Sequence, residues 1–76
     1  MNKERRKRID NIIAQLNDIK EDIEILREEE QEAYDNMPES IQESDRGEAM
    51  TIAVDLMLSA GSWIEDAVSE LEEVMA

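Results

Sequence analysis

The sequence predicts an all-α fold in which two long helices form an antiparallel hairpin and copies of this hairpin assemble into a homo-oligomeric helix bundle. Apolar residues recur at alternating spacings of three and four in both halves of the chain, the pattern of helices that pack side by side. A connection that contains the single proline separates two stretches of nearly equal length. The 76 residues include no cysteine, so a chain too short for a large core is expected to depend on self-association.

The first helix is expected from about residue 3 to residue 35. Its seam, the row of positions that faces a partner helix, keeps the alternating spacing with one polar break, a glutamate. Ile13 and Tyr34 widen this stripe on one side, and Lys20 and Arg27 share their heptad position. Basic residues beside a seam can pair with acids of the facing helix. The seam consists of Ile9, Ile12, Leu16, Ile19, Ile23, Leu26, Glu30, Ala33 and Met37.

A connection of about residues 36–44 separates the two long helices. Pro38 disfavours helical dihedral angles at the residue before it, so the first helix is expected to end near Asn36. Proline also suits the first position of a new helical turn, which predicts a one-turn helix within the connection. The second long helix is then expected to start at Ser44 or Asp45.

The second long helix, about residues 45–75, repeats alanine every seven residues at Ala53, Ala60 and Ala67. Alanine at one seam position throughout lets a facing backbone approach closely. The apolar surface is wider than one partner helix covers, and a helix that is apolar nearly all round is a buried helix. Since the hairpin supplies a single neighbour, further neighbours are expected from other copies of the chain. The residues expected at the interface between copies are Met50, Ala53, Leu56, Met57, Ala60, Trp63, Ile64, Ala67 and Leu71.

The composition excludes several classes of chemistry. Without histidine or cysteine the chain has no Ser-His or Cys-His nucleophile pair. No Glu-x-x-His pair and no calcium-binding loop occurs, so we expect no catalytic residue, no metal site and no cofactor. No apolar run reaches the ~20 residues of a membrane span, and no secretion signal is recognisable. We therefore expect a non-enzymatic cytoplasmic protein without membrane contact.

Charge is distributed unevenly along the chain. The net charge is −13, yet the first eight residues carry five bases and one acid, so the other 68 residues carry 20 acids and three bases. An acidic body with one basic end repels nucleic acid and anionic membranes and favours basic protein surfaces. Carboxylates on several outer heptad positions are also the ordinary solvated surface of a coiled coil.

Two polar stretches exceed the structural needs of a helical hairpin: the basic amino terminus and the connection. Helix amino termini together with arginine form an anion site. The same groups also suit helix capping, and the basic terminus suits ion pairs with the acidic carboxyl end of the second helix. The sequence fits both interpretations. The candidate ligand-binding residues are Arg46, Tyr34, Asn36, Ser40, Gln42, Ser44, Arg5 and Arg8.

The segment from Tyr34 to Ser44, followed by Arg46, Gly47, Glu48 and an alanine-rich helix, resembles a group of short acidic helical-hairpin proteins of phages and prophages. The resemblance spans nearly the whole chain, and this central segment is its distinctive part. It implies a mobile-element origin and no known catalytic residue. Small phage proteins of this kind often bind a host component, as inhibitors of defence nucleases or as oligomeric sponges for nucleotide signals.

Taken with the resemblance, the residues favour a homo-oligomeric binding protein that inhibits or sequesters a host defence component, with a host protein as partner. A second interpretation is an oligomeric sponge that binds an anionic, nucleotide-type small molecule through Arg46 and the basic amino terminus. Two further interpretations are a nucleic-acid mimic, because residues 9–76 carry a net charge of −17, and a purely structural assembly factor. Direct binding of nucleic acid is not expected, because the acidic body repels it.

Overall fold

A computed structural model describes residues 1–76 and contains three helices and no strand. Helix α1 spans Lys3–Asp35, the short α2 spans Glu39–Gln42 and α3 spans Asp45–Met75. The prediction of an all-helical chain with two long helices is confirmed. At 1.5 Å per residue α1 is about 50 Å long, and the whole molecule measures 58 × 15 × 12 Å. The two long helices therefore lie side by side and in contact.

Local hydrogen bonds fix both ends of α1. At its start, Asn2 Oδ1 accepts a hydrogen bond of 2.8 Å from the backbone N–H of Arg5, which satisfies one of the unpaired amides of the first turn. At its end, the backbone N–H of Asn36 donates to the carbonyl oxygen of Glu32 at 3.0 Å. Pro38 then disfavours helical angles at the residue before it and begins α2.

The chain passes from α1 to α3 through a compact corner, formed by α2 and the first turn of α3. Gln42 Nε2 donates to the carbonyl oxygen of Tyr34 at 2.8 Å, which ties the end of α2 to the last turn of α1. Ser44 is the N-cap of α3, where its Oγ accepts a long hydrogen bond of 3.5 Å from the N–H of Gly47. The same hydroxyl donates to the carbonyl of Ile41. These bonds set the direction in which α3 leaves the corner.

Gly47 lies where α3 approaches the corner most closely. A Cβ atom on this residue would lie within 2.7 Å of the backbone Cα, C and O atoms of Gln42, which close packing does not allow. A Cβ atom on Gly61, in the middle of α3, would meet no atom within 4 Å. The corner therefore requires glycine at Gly47, whereas Gly61 carries only the entropic cost of glycine in a helix.

The residues of α1 that face α3 differ in part from the predicted seam. Ile12, Ile19 and Leu26 were expected in this seam, but they are 46%, 49% and 56% exposed. The neighbouring heptad row, which includes Lys20 and Arg27, is half-buried in their place. The seam prediction was wrong for these three apolar residues. Apart from Gln31, the half-buried positions keep the alternation of four and three: Ile9, Ile13, Leu16, Lys20, Ile23, Arg27, Glu30, Tyr34 and Met37.

On α3, the row closest to α1 contains glycine and valine and not the predicted alanines. Gly47, Val54 and Gly61 are buried. Val54, 6% exposed, is the only buried apolar side chain of the chain. The alanines at positions 53, 60 and 67 are half-buried beside this row. The structure shows a close backbone approach at Gly47, against Gln42 of α2, whereas a Cβ atom on Gly61 would have no neighbour within 4 Å.

The more polar row of α1, which faces α3, keeps its charged groups accessible to water. Lys20 and Arg27 line one groove together with Gly61. Long basic side chains lay their methylene groups over apolar surface while their charge stays in water. The ammonium of Lys20 pairs with the carboxylate of Glu65 and, at 3.4 Å, with that of Glu24. This row therefore lines a groove with Gly61 without burying a charge.

We expect Gly47→Ala to destabilise the fold and Gly61→Ala to stabilise it. The first substitution displaces the backbone of Gln42. Such overpacking costs about 1–3 kcal/mol, which exceeds the stabilisation that alanine brings to a helix in place of glycine. The second removes the glycine penalty, a gain of about 0.5–1 kcal/mol. Urea unfolding followed by circular dichroism, at one protein concentration, measures both. Equal midpoints for the two variants would contradict the close contact at the corner.

Candidate functional site

Helices α1 and α3 form a two-helix layer, and one of its two faces is apolar. Leu26 of α1 and Met57 of α3 line the same groove together with Glu29 and Glu30 of α1, so these sides of the two helices belong to one face. Ala53 and Ala60 lie four residues before and three residues after Met57, on its side away from Gly61. We name this surface the apolar face. It consists of Ile12, Ile19, Leu26 and Ala33 of α1 and of Ala53, Ala60, Ala67 and Val74 of α3, with Leu56 and Trp63 at its edge.

The opposite surface, which we name the polar face, carries the ion pairs of Lys20. The hydrogen bond from Lys20 to the Glu65 carboxylate raises the pKa of Lys20 above its ordinary value, against the effect of partial desolvation. Leu58, 50% exposed, is the one large apolar residue here. The other residues of this face are polar: Asp10, Asn17, Glu24 and Gln31 of α1 and Thr51, Glu65 and Glu72 of α3.

The apolar face has no cover within a single chain. Besides the isoleucine and leucine row of α1, Leu56 is 64% exposed and Trp63 is 72% exposed at its edge. Monomeric proteins rarely expose contiguous apolar patches of this kind, and such patches mark interaction sites. Aromatic residues such as Trp63 are frequent anchors of interfaces. The apolar face is therefore the candidate functional site, as a surface for association.

The residues expected at an interface between copies divide into two groups in the structure. One group forms the half-buried row of α3 next to α1: Met50, Met57, Ile64 and Leu71. The other group belongs to the apolar face, where the alanines are half-buried and the two large residues are exposed: Ala53, Leu56, Ala60, Trp63 and Ala67.

The candidate anion-binding residues lie at opposite ends of the molecule. Arg46 lies in the first turn of α3 at the corner, and Arg5 lies in the first turn of α1. Along α1 these ends are about 45 Å apart at 1.5 Å per residue. A single chain therefore does not bring the arginines of the two groups together.

Within the corner, several of the candidate residues serve the structure itself. The side chains of Gln42 and Ser44 form the hydrogen bonds to Tyr34 and Ile41 described above. Asn36 and Ser40 are exposed and lie in no groove. No groove of the structure is lined by any of the six corner candidates. The corner is thus a capped turn whose candidate residues surround no cavity.

The basic amino terminus lies at one end of the apolar face. Arg5 and Arg8 line a shallow groove with Ile12. Every ion pair of the structure involves Lys20 or Arg27. The expected pairing of the basic terminus with acids at the end of the second helix is therefore not formed within one chain.

Nothing in the structure collects three or more acidic side chains closely enough to hold a metal ion. None of the helices has the length and apolar character needed to cross a membrane. Comparisons with protein families, with curated proteins and with solved structures found no match to this chain. The relation to phage and prophage proteins stays a prediction.

We expect Lys20→Met to alter the dependence of stability on alkaline pH. Folding raises the pKa of Lys20 above its ordinary value of 10.5, so its ion pairs contribute fully below that pH. The contribution is lost as the pH rises through the folded pKa. Chemical unfolding between about pH 9 and 12 should therefore show a steeper loss of stability for the wild-type chain than for the variant.

Lys7→Met is the matched control, because Lys7 makes no ion pair. Its alkaline pH profile should follow that of the wild-type chain. Identical profiles for the wild-type chain and Lys20→Met would show that the Lys20 ion pairs do not contribute to stability.

Proposed function

We propose that the chain is a non-enzymatic binding protein that works as a homo-oligomer of antiparallel helical hairpins and captures a protein partner. The exposed apolar face is the observation that carries this proposal. A chain whose only buried apolar side chain is Val54 gains most stability by covering further apolar surface. Self-association covers such a face and leaves the acidic surfaces of the bundle available to a partner.

The hairpin is supported by the dimensions and contacts of the single chain. The length of 58 Å exceeds that of α1 by less than about 10 Å at 1.5 Å per residue. The ion pair between Lys20 and Glu65 joins the middle of α1 to α3. At the corner, Gln42 is bonded to Tyr34. These contacts fit two helices that run in opposite directions along their full length.

The acidic surface supports a partner with a basic surface. Glu28, Glu29 and Glu32 near the carboxyl end of α1 are exposed, and of these only Glu28 has an ion pair, at 3.8 Å from Arg27. Carboxylates without a cation of their own attract basic protein surfaces and speed their association. The resemblance to phage proteins favours a host protein, such as a defence component, which binding would inhibit or sequester.

A second candidate function is the sequestration of an anionic small molecule of nucleotide type. Arg46 is exposed in the first turn of α3 and makes no ion pair and no side-chain hydrogen bond. A free guanidinium at a helix start favours phosphate. Arg5 and Arg8 of another copy reach the corner only if hairpins associate head to tail.

Native mass spectrometry of the purified protein, compared with its denatured mass, tests both functions. We expect a whole-number multiple of the subunit mass without added mass. The sequestration function predicts an added mass of nucleotide size, lost in Arg46→Ala and retained in the control Arg6→Ala. A monomeric native mass would overturn the proposed self-association.

Replacing Glu28, Glu29 and Glu32 by lysine should abolish capture of a basic protein partner. Reversed charges repel a basic surface. Glu29 lines the groove of Leu26 and Met57 at the border of the apolar face, so sedimentation of the variant also checks that the oligomer is retained. The measurement compares the host proteins retained by the immobilised wild-type chain and by the variant.

Replacing Asp18, Glu21 and Asp22 by lysine is the matched control. These residues are exposed on the same helix, and their reversal changes the net charge equally. Equal loss of capture in both variants would show that net charge alone attracts the partner. Unchanged capture in the first variant would show that the carboxyl end of α1 is not the partner site.

A further inference from the structure

We propose that the apolar face pairs with the apolar face of a second copy of this chain, about a two-fold axis parallel to the helices. In this arrangement α1 of each copy lies over α3 of the other. The inference rests on the self-association proposed above. It adds which face is covered, what covers it and in which register.

A complete heptad row of α1 is left without a partner. The row that faces α3 contains Lys20 and Arg27, while the row of Ile12, Ile19 and Leu26 stays about half exposed. Exposing apolar side chains while half-burying basic ones is unfavourable unless the apolar row has another partner. An uninterrupted heptad row of large apolar residues is the surface that a further helix covers in a bundle.

Contacts between α1 and α3 fix the level of each residue along the molecule. Lys20 pairs with Glu65, and Leu26 shares a groove with Met57. Residue numbers therefore fall along α3 as they rise along α1, at the same rate. This register places Ile12, Ile19 and Leu26 level with residues 71–73, 64–66 and 57–59 of α3. A two-fold axis parallel to the helices leaves these levels unchanged between copies.

At two of the four levels, those of Ile19 and Leu26, a large side chain of α1 meets an alanine of α3 from the second copy. In the alanine row of α3, Ala67 is the alanine nearest to the level of Ile19, and Ala60 is the alanine nearest to the level of Leu26. Interiors reach their density when large and small side chains alternate across facing positions. The alanine row, which is not the closest row within one chain, thus receives the apolar row of α1. The facing pairs are Ile12 with Val74, Ile19 with Ala67, Leu26 with Ala60, and Ala33 with Ala53.

The other two-fold arrangement fits the same surfaces less well. An axis perpendicular to the helices, within the interface plane, places α1 over α1 and α3 over α3. Isoleucine and leucine then stack on each other on one side, and alanine stacks on alanine on the other. The two pairs of helices would need different separations, which two flat layers do not provide.

Charge at the end of the apolar face complements the proposed arrangement. Arg5 and Arg8 line the face beside Ile12 and have no ion pair within one chain. In the pair of copies they lie beside the carboxyl end of α3 of the second copy. That end carries Glu70 and Glu73 and the negative end of the helix dipole, which favours cations. The polar face remains in water.

Cysteine cross-linking tests this register in a chain that has no cysteine of its own. Ile19→Cys and Ala67→Cys are unfolded together in urea, refolded as a mixture and mildly oxidised. Random mixing places about half of the chains in mixed dimers, which sets the maximum yield of the mixed disulfide. Ile19→Cys alone should give at least about fivefold less, because the two Ile19 positions lie on diagonal helices beyond disulfide reach.

Asn17→Cys mixed with Glu65→Cys is the control on the polar face and should stay uncross-linked. Self-cross-linking of Ile19→Cys as efficient as the mixed reaction would overturn the register in favour of α1 over α1. An oligomer without the mixed cross-link would overturn the choice of face and leave the proposed self-association standing. A monomer by sedimentation would overturn both.

A matched pair of substitutions tests the face without cysteine. Ile19 and Leu58 are 49% and 50% exposed and lie on opposite faces. Ile19→Glu buries a carboxylate in the interface and should raise the dissociation constant between copies at least about tenfold. Leu58→Glu adds the same charge and should change it by no more than about twofold. Equal effects in sedimentation equilibrium would overturn the assignment of the apolar face.

Discussion

Two helices packed side by side share one line of contact, and in this chain that line buries a single apolar side chain, Val54. Ordering each residue costs about 1–2 kcal/mol of conformational free energy, and one contact line recovers little of it. The remaining apolar surface, including Leu56 and Trp63, stays accessible in a single chain. Under the proposed self-association, stability depends on protein concentration. In the proposed function, the surface that stabilises the fold is therefore also the surface for association.

The side of α1 that faces α3 and the side that belongs to the apolar face carry different kinds of side chain. Towards α3 it presents long basic side chains that line a groove with Gly61, and Lys20 reaches Glu65 on the polar face. A polar pair within a seam specifies register, even where it adds little stability. Towards the other side it presents isoleucine and leucine, which supply apolar area but little register. An ion pair thus joins the two long helices, and the apolar row of α1 remains exposed in the single chain.

The sequence predicts the helices well and their facing rows poorly. Helix ends depend on local chemistry, such as the Ser44 cap, and are readable from neighbouring residues. The row facing α3 depends on the shape of the opposite helix, and hydrophobicity alone favours Ile19 over Lys20 for that place. The heptad repeat that contains Gly47 and Gly61 is the signal that points to the observed choice. The apolar face consists of the rows that do not face the other helix. It can therefore be predicted from the sequence only once the facing rows are known.

The corner where Gly47 packs against Gln42 is also the place where contact between the two long helices costs the least conformational entropy. The bond between Gln42 and Tyr34 closes a loop of 8 residues, whereas the pair of Lys20 and Glu65 spans 45 residues. Each doubling of a flexible loop adds about 0.6 kcal/mol to the entropy of closing it. Entropy therefore favours contacts between α1 and α3 that form first at the corner and then extend along the two helices. The apolar face combines rows of both long helices. It therefore becomes continuous only when α1 and α3 are in contact along their whole length.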